Sequence, residues 1–187
     1  IVFDSLAIGM SPFLMNLAAC FIVIIINQGL KKYGGDLAIG AFGIVNRLVF
    51  IVVMIVMGLN QGMQPIAGYN FGAKLYGRVN KVLRLTIIYA TAVTTFGFLV
   101  GMLVPDLVVG IFTSDAELTE LSVTGLRITV MFFPIIGFQM VTSNFFQSIG
   151  MAGKAIFLSL TRQMLILLPC LLVLPQFFGV AGVWYSM

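Results

Sequence analysis

Few side chains in this sequence could do chemistry, and most of those that could are amides. The 187 residues include no histidine, and Asp, Glu, Lys and Arg together make up only 9% of them. Imidazole is therefore missing as a base, nucleophile or metal ligand. No Asp or Glu lies deep in an apolar run; Asp4 and Asp106 sit close to run ends. A membrane-embedded hydrolase would need a His or a buried Asp pair, so no enzyme, cofactor or metal site is expected. The ionisable group furthest inside an apolar run is Arg47, eleven residues past Asp36, or roughly 16 Å along a helix at 1.5 Å per residue. Such a residue either snorkels outward and anchors loop carbonyls, or links to a carboxylate across a helix-bundle interface.

Three further groups have informative spacing. Gln139, Ser143 and Gln147 fall four residues apart and share one helical face, flanked by Thr142 and Asn144. They serve either as interhelical hydrogen-bond glue or as the lining of a polar cavity. Met54, Met57, Gln61 and Gln64 form a similar stripe. The flexible thioether of Met adapts to varied apolar ligands, and ordinary packing or lipid contact is the competing reading. Third, Pro65 with Gly68 and Gly72 combines a lost backbone donor with permissive glycines. That combination suits either a hinge or gate at the mouth of a cavity, or simply a helix end with a glycine-rich turn.

The elements that must position these residues follow from composition. The chain is 60% apolar, with 20 glycines besides, against roughly 45–50% apolar for a soluble domain even with glycine included. Its solvent is mostly lipid. At about 20 apolar residues per crossing, the length allows five complete spans and the start of a sixth. The spans are expected at 6–26, 37–59, 85–112, 126–146 and 155–174, and the sixth begins at 177. A polar connection is expected from 60 to 84, and a capping box of Ser114 with Glu117 opens the fourth helix. None of these segments has the alternating pattern of a barrel strand, so the fold class is an all-α polytopic bundle forming a single unit over 1–187. Cys20 and Cys170 read as small buried hydrophobes. Tyr33 and Trp184 read as interfacial anchors.

The net charge of +4 sets topology rather than nucleic-acid binding. Lys74, Arg78, Lys81 and Arg84 lie in one loop, with Lys154 and Arg162 near another of the same side. Asp36, Asp115, Glu117 and Glu120 lie opposite, with Lys31, Lys32 and Arg127. The first set is expected in the cytoplasm, so the N-terminus of this segment is cytoplasmic too. With Ile1 first and no basic region before the first apolar run, no signal peptide is expected. The chain reads as cut from something longer.

The run Gln61-Gly62-x-Gln64-Pro65-Ile66-x-Gly68-Tyr69-Asn70-x-Gly72-Ala73 resembles the signature of the multidrug and toxic compound extrusion transporters. Other pieces agree in order: Tyr33-Gly34-Gly35, Asn46-Arg47, Ser114-Asp115, Gln147-x-x-Gly150, Pro169, Leu174-Pro175 and Gly182-Val183-Trp184. The resemblance covers nearly the whole chain. It implies part of the C-terminal bundle of a transporter built from two six-helix bundles. It further implies export of drug-like, often cationic, small molecules across the plasma (inner) membrane against sodium or protons. The partners implied are the small-molecule substrates, membrane lipids and the N-terminal bundle of the same transporter. Since no deep carboxylate is present, the coupling-ion site is expected outside this chain. Two alternatives remain open: a lipid or lipid-linked precursor flippase of related fold, and a small oligomeric channel or structural membrane subunit.

Overall fold

A computed structural model describes residues 2–151, 153–154, 157, 161 and 167–186. Among them every regular element is helical: α1 Val2–Gly72, α2 Tyr76–Leu103, α3 Pro105–Gly110, α4 Ala116–Val130, α5 Phe133–Ser148, α6 Leu168–Phe178 and α7 Val180–Ser186.

The 71 residues of α1 would make a straight rod of about 107 Å, far longer than the roughly 30 Å of a hydrocarbon core. The helix is broken at one residue, Gly35, with φ 66° and ψ −159°, a backbone state open essentially to glycine alone. The two arms it creates, 2–34 and 36–72, pack together. Ile22, Ile26 and Leu30 of the first share a core with Ala38, Ala41, Phe42 and Val45 of the second. The expected turn over 31–36 thus shrinks to one residue, and Lys31 and Lys32 are helical.

The expected polar connection from 60 to 84 is corrected more strongly. Helix α1 continues through Pro65 to Gly72, and only residues 73–75 link it to α2. The helix carries the polar side chains of the segment without leaving helical geometry, with Gln61 exposed, Gln64 half-buried and Asn60 and Asn70 buried. Its end is closed by hydrogen bonds from Leu75 N to Asn70 O (2.9 Å) and from Lys74 N to Phe71 O (3.0 Å), with Lys74 at φ 59°. This is a Schellman-type cap with lysine where glycine is usual.

Pro105 starts α3 just after α2 ends, and Pro134 sits in the first turn of α5. The missing proline donor breaks the fourth expected span, so α4 and α5 meet at a bend of 54°. The cap of α4 is Asp115, not Ser114: its carboxylate accepts from Leu118 N at 3.0 Å. Two helices, Asn16–Gly72 and Tyr76–Leu103, are long and apolar enough to cross a membrane, and the bent α4–α5 pair makes a third. Much of the expected fifth span, Arg162 included, lies outside the described residues. The sixth does not start at 177: α6 runs to Phe178, Gly179 turns the chain at φ 57°, and α7 follows.

Two apolar clusters hold these helices. The larger, toward Gly35, contains Phe42, Val45, Leu126, Val130, Phe133 and Trp184. Trp184 is 2% exposed, with its ring 6.1 Å from that of Phe42. It is a core residue, not an interfacial anchor, whereas Tyr33 is exposed beneath the Lys32 ammonium at 5.2 Å. The smaller cluster, toward the 73–75 link, contains Val56, Met63, Ala67, Ala90 and Val141. Cys20 is exposed rather than buried, Cys170 is half-buried, and both are free thiols.

Candidate functional site: the seam between α1 and α5

Side-chain contacts fix how the helices align. Phe71 meets Tyr76 beside the link, with ring centroids 5.9 Å apart. Farther along, a Cβ placed on Gly97 would lie 3.0 Å from the Val52 side chain. The second arm of α1 and α2 therefore run antiparallel. Against α5 the arm runs parallel: Gln64 Nε2 donates to Asn144 Oδ1 at 3.2 Å, and a Cβ on Gly68 would meet Ser148 O at 3.0 Å. Four residues on in one helix correspond to four residues on in the other.

This register decides where the sequence candidates stand. Met54, Met57 and Gln61 are exposed, and Gln64 is half-buried. They lie on the α1 flank that ends in the Gln64–Asn144 bond. Gln139, Ser143 and Gln147 are all half-buried and stand about level with residues 59, 63 and 67 of α1. One of the two stripes thus touches α5 through Gln64, and the bond reaches Asn144, a flanking residue, not the 139/143/147 face itself. The Asn144 amide also donates to Met140 O at 2.8 Å.

Arg47 is exposed and occupies the same flank of α1 as Met54 and Gln61. Counting outward from the Val52–Gly97 contact, it stands about level with Met102, just before α2 ends at Leu103. It lies inside the long apolar helix Asn16–Gly72, and from an exposed flank its guanidinium can snorkel while its stem covers apolar surface.

The hinge candidates separate. Pro65 and Gly72 are exposed, and Gly68 is half-buried against α5. None of the three departs from helical geometry, and Gly35 is the non-helical point of α1. Pro65 still deprives the Gln61 carbonyl of its usual donor four residues on. The first expected span does not end at 26: Asn27 and Gln28 lie within the first arm of α1, half-buried and exposed respectively.

The spacing of polar residues did not single out Asn60. It is 2% exposed, and among the described residues neither Nδ2 nor Oδ1 has a protein partner. Its signal was the apolar spacing of Val56, Met63 and Ala67, which share its helix face. A separate crevice of about 260 Å³ lies between α1, α2, α3, α4 and the start of α5, lined by Val52, Ile55, Gly97, Leu126 and Phe133 among others. It holds none of the candidate residues. The seam offers thioethers and amides with a single charge at one end, which equips it for dispersion and neutral hydrogen bonding. Among the described residues no group of three His, Cys, Asp or Glu could hold a metal ion.

The comparisons with known proteins agree on one family. The MatE family profile matches residues 10–172. Multidrug export protein MepA of Staphylococcus aureus (strain MSSA476) is 29% identical over 180 residues, covering 96% of this chain and 39% of the relative. MepA of Staphylococcus saprophyticus is 25% identical over the same length. The solved structure of the MATE multidrug transporter DinF-BH is 36% identical, with a TM-score of 0.86, covering all of this chain and 42% of that one. A mutant of the Vibrio cholerae MATE transporter VcmN is similar in fold, at TM-score 0.90 and 20% identity over 43% of its length. The chain thus spans about two fifths of the relatives it matches. An all-helical membrane fold, long apolar helices and a profile match over most of its length place this chain in the MatE family of multidrug and toxic compound extrusion transporters, a family of transporters and not of enzymes.

Proposed function

We propose that this chain is part of the C-terminal bundle of a secondary multidrug antiporter, with the α1–α5 seam as its contribution to the substrate cavity. The observation that carries this reading is the Gln64–Asn144 bond, which ties the exposed Met54, Met57 and Gln61 stripe beside the half-buried Gln139, Ser143 and Gln147 face. Thioethers and amides without a fixed charge suit varied drug-like molecules. The partner is an N-terminal bundle of the same transporter, against which this one rocks to give alternating access. The coupling ion, sodium or a proton, binds in that other bundle, because none of the described spans here carries a deep acid. The Lys74–Arg84 segment faces the cytoplasm of the plasma membrane. Pro65, with Gly68 and Gly72, supplies the compliance of α1 at the inner mouth.

The test is export of a panel of dyes and drugs by a transporter that joins this chain to an N-terminal bundle. Gln139→Ala should change which compounds are exported. Lowered thermal stability with an unchanged export profile would reduce the α5 face to helix glue and overturn its cavity role. In the same assay Pro65→Ala should alter the rate more than the substrate pattern; an unchanged rate at normal expression would remove the hinge.

A further inference from the structure

We infer that Asn60 holds a buried water molecule between α1, α2 and α5, a binding site built into the helix interface and separate from the seam. The side chain is 2% exposed, and both its amide atoms lack a partner among the described residues. Two other asparagines use their amide nitrogens: Asn70 Nδ2 donates to Ile66 O and Asn144 Nδ2 to Met140 O, each at 2.8 Å and each four residues back. Asn70 Oδ1 is also buried without a partner among the described residues, but at Asn60 both amide atoms are. The Val56 carbonyl stands at the same offset from Asn60, yet Asn60 does not use it.

The interface around Asn60 is apolar and closely packed. Val56 and Met63 lie one turn to either side on α1, and Ala90 of α2 and Val141 of α5 belong to the same cluster. The buried hydroxyls of α2 are committed as donors within their own helix: Thr86 to Val82 O at 2.9 Å, and Thr94 to Ala90 O at 3.0 Å. Their oxygens can still accept. The ligand must therefore be small, and it must donate to Oδ1 while accepting from Nδ2. A bare cation would satisfy the oxygen and repel the NH₂ group, and a bare anion would do the reverse. Water does both, and buried waters characteristically make about three such bonds to otherwise unsatisfied groups.

Met63 is a built-in reporter. It is 2% exposed and lies three residues from Asn60 on the same face. Radiolytic hydroxyl-radical labelling, read by mass spectrometry, modifies side chains beside bound water even when bulk solvent cannot reach them. In the 187-residue chain in lipid nanodiscs, Met63 should be oxidised although it is buried. Asn60→Leu should lower the Met63 rate several-fold and leave Met54 and Met57 unchanged. Asn60→Ser, which keeps a polar group and adds room, should retain the labelling. A Met63 that stays unlabelled in the wild-type chain overturns the site, whether or not the leucine variant folds. Equal Met63 labelling in the wild type and Asn60→Leu also overturns it, because the radical source would then not depend on Asn60. None of these outcomes depends on transport, so they stand apart from the tests of the seam.

Discussion

Toward Gly35, the indole of Trp184 fills the space beside Gly125 and meets Phe42. Toward the 73–75 link, the interior holds Val56, Met63, Ala67, Ala90 and Val141, with Asn60 among them and Met140 and Phe145 packed against the cluster. Lipid provides little hydrophobic drive for helices to associate, so packing and hydrogen bonds must hold them. The first region uses packing: a large rigid ring in a pocket that only glycine leaves open. The second adds amides to its apolar packing, through the Gln64–Asn144 bond and the unpartnered Asn60. A ring locked in a shaped pocket resists displacement. A flexible methionine and a reformable amide bond resist it less. The molecule therefore has a rigid end and a compliant end, and the candidate seam begins where the compliant end does.

The largest expected effect breaks the rigid end. A Cβ on Gly125 would lie 2.6 Å from two carbons of the Trp184 ring, and that ring is buried. Gly125→Ala should destabilise the chain by about 1–3 kcal/mol, measured by detergent-titrated unfolding. Trp184→Leu should restore much of that loss in the double variant. The same change at Gly68 meets only Ser148 O, at 3.0 Å, and alanine gains about 1 kcal/mol of helix propensity over glycine. Gly68→Ala should therefore stay within about 1 kcal/mol of wild type. If the two variants lose equal stability, the contrast between the ends fails.

An intermediate effect concerns the link itself. Lys74 adopts φ 59°, a left-handed state that costs roughly 1–2 kcal/mol for a residue with a Cβ. Lys74→Gly should raise stability, by up to about 1 kcal/mol once the entropy of glycine in the unfolded chain is deducted. An unchanged unfolding midpoint would mean that the link is not strained.

How much of this was legible in the sequence depended on the kind of signal. The all-α membrane class followed from composition, because a chain with 9% charge cannot cover a soluble surface. Helix type was also legible, but helix limits were not. Residues 60–72 carry Gln, Asn, Gly and Pro, which locally signal a connection, yet the flank of α1 accommodates them without leaving helical geometry. Trp184 was misplaced for a related reason: an aromatic near the end of an apolar run suits an interface and a core equally, and Gly125 decides between them from 59 residues away. The stripes Met54–Gln64 and Gln139–Gln147 were legible as faces from helical periodicity. Their alignment rests on long-range contacts that periodicity does not encode.

The smallest expected effect sharpens the comparison at the compliant end. Gln64 and Asn144 are 80 residues apart and share one hydrogen bond of 3.2 Å. Interhelical bonds of this type in a membrane protein average about 0.6 kcal/mol in double-variant cycles, because the separated helices find other partners. Gln64→Ala, Asn144→Ala and the double variant should therefore give a coupling of about 0.6 kcal/mol, read from the same unfolding titration. Asn144→Ala alone should cost somewhat more than the coupling, since it also loses the bond to Met140 O. Gln64 makes its side-chain bond to Asn144, so Gln64→Ala should cost little beyond the coupling. A coupling above about 2 kcal/mol would exceed the range measured for such bonds. The link end would then be held as firmly by its amides as the other end is by Trp184, and its compliance would have to be abandoned.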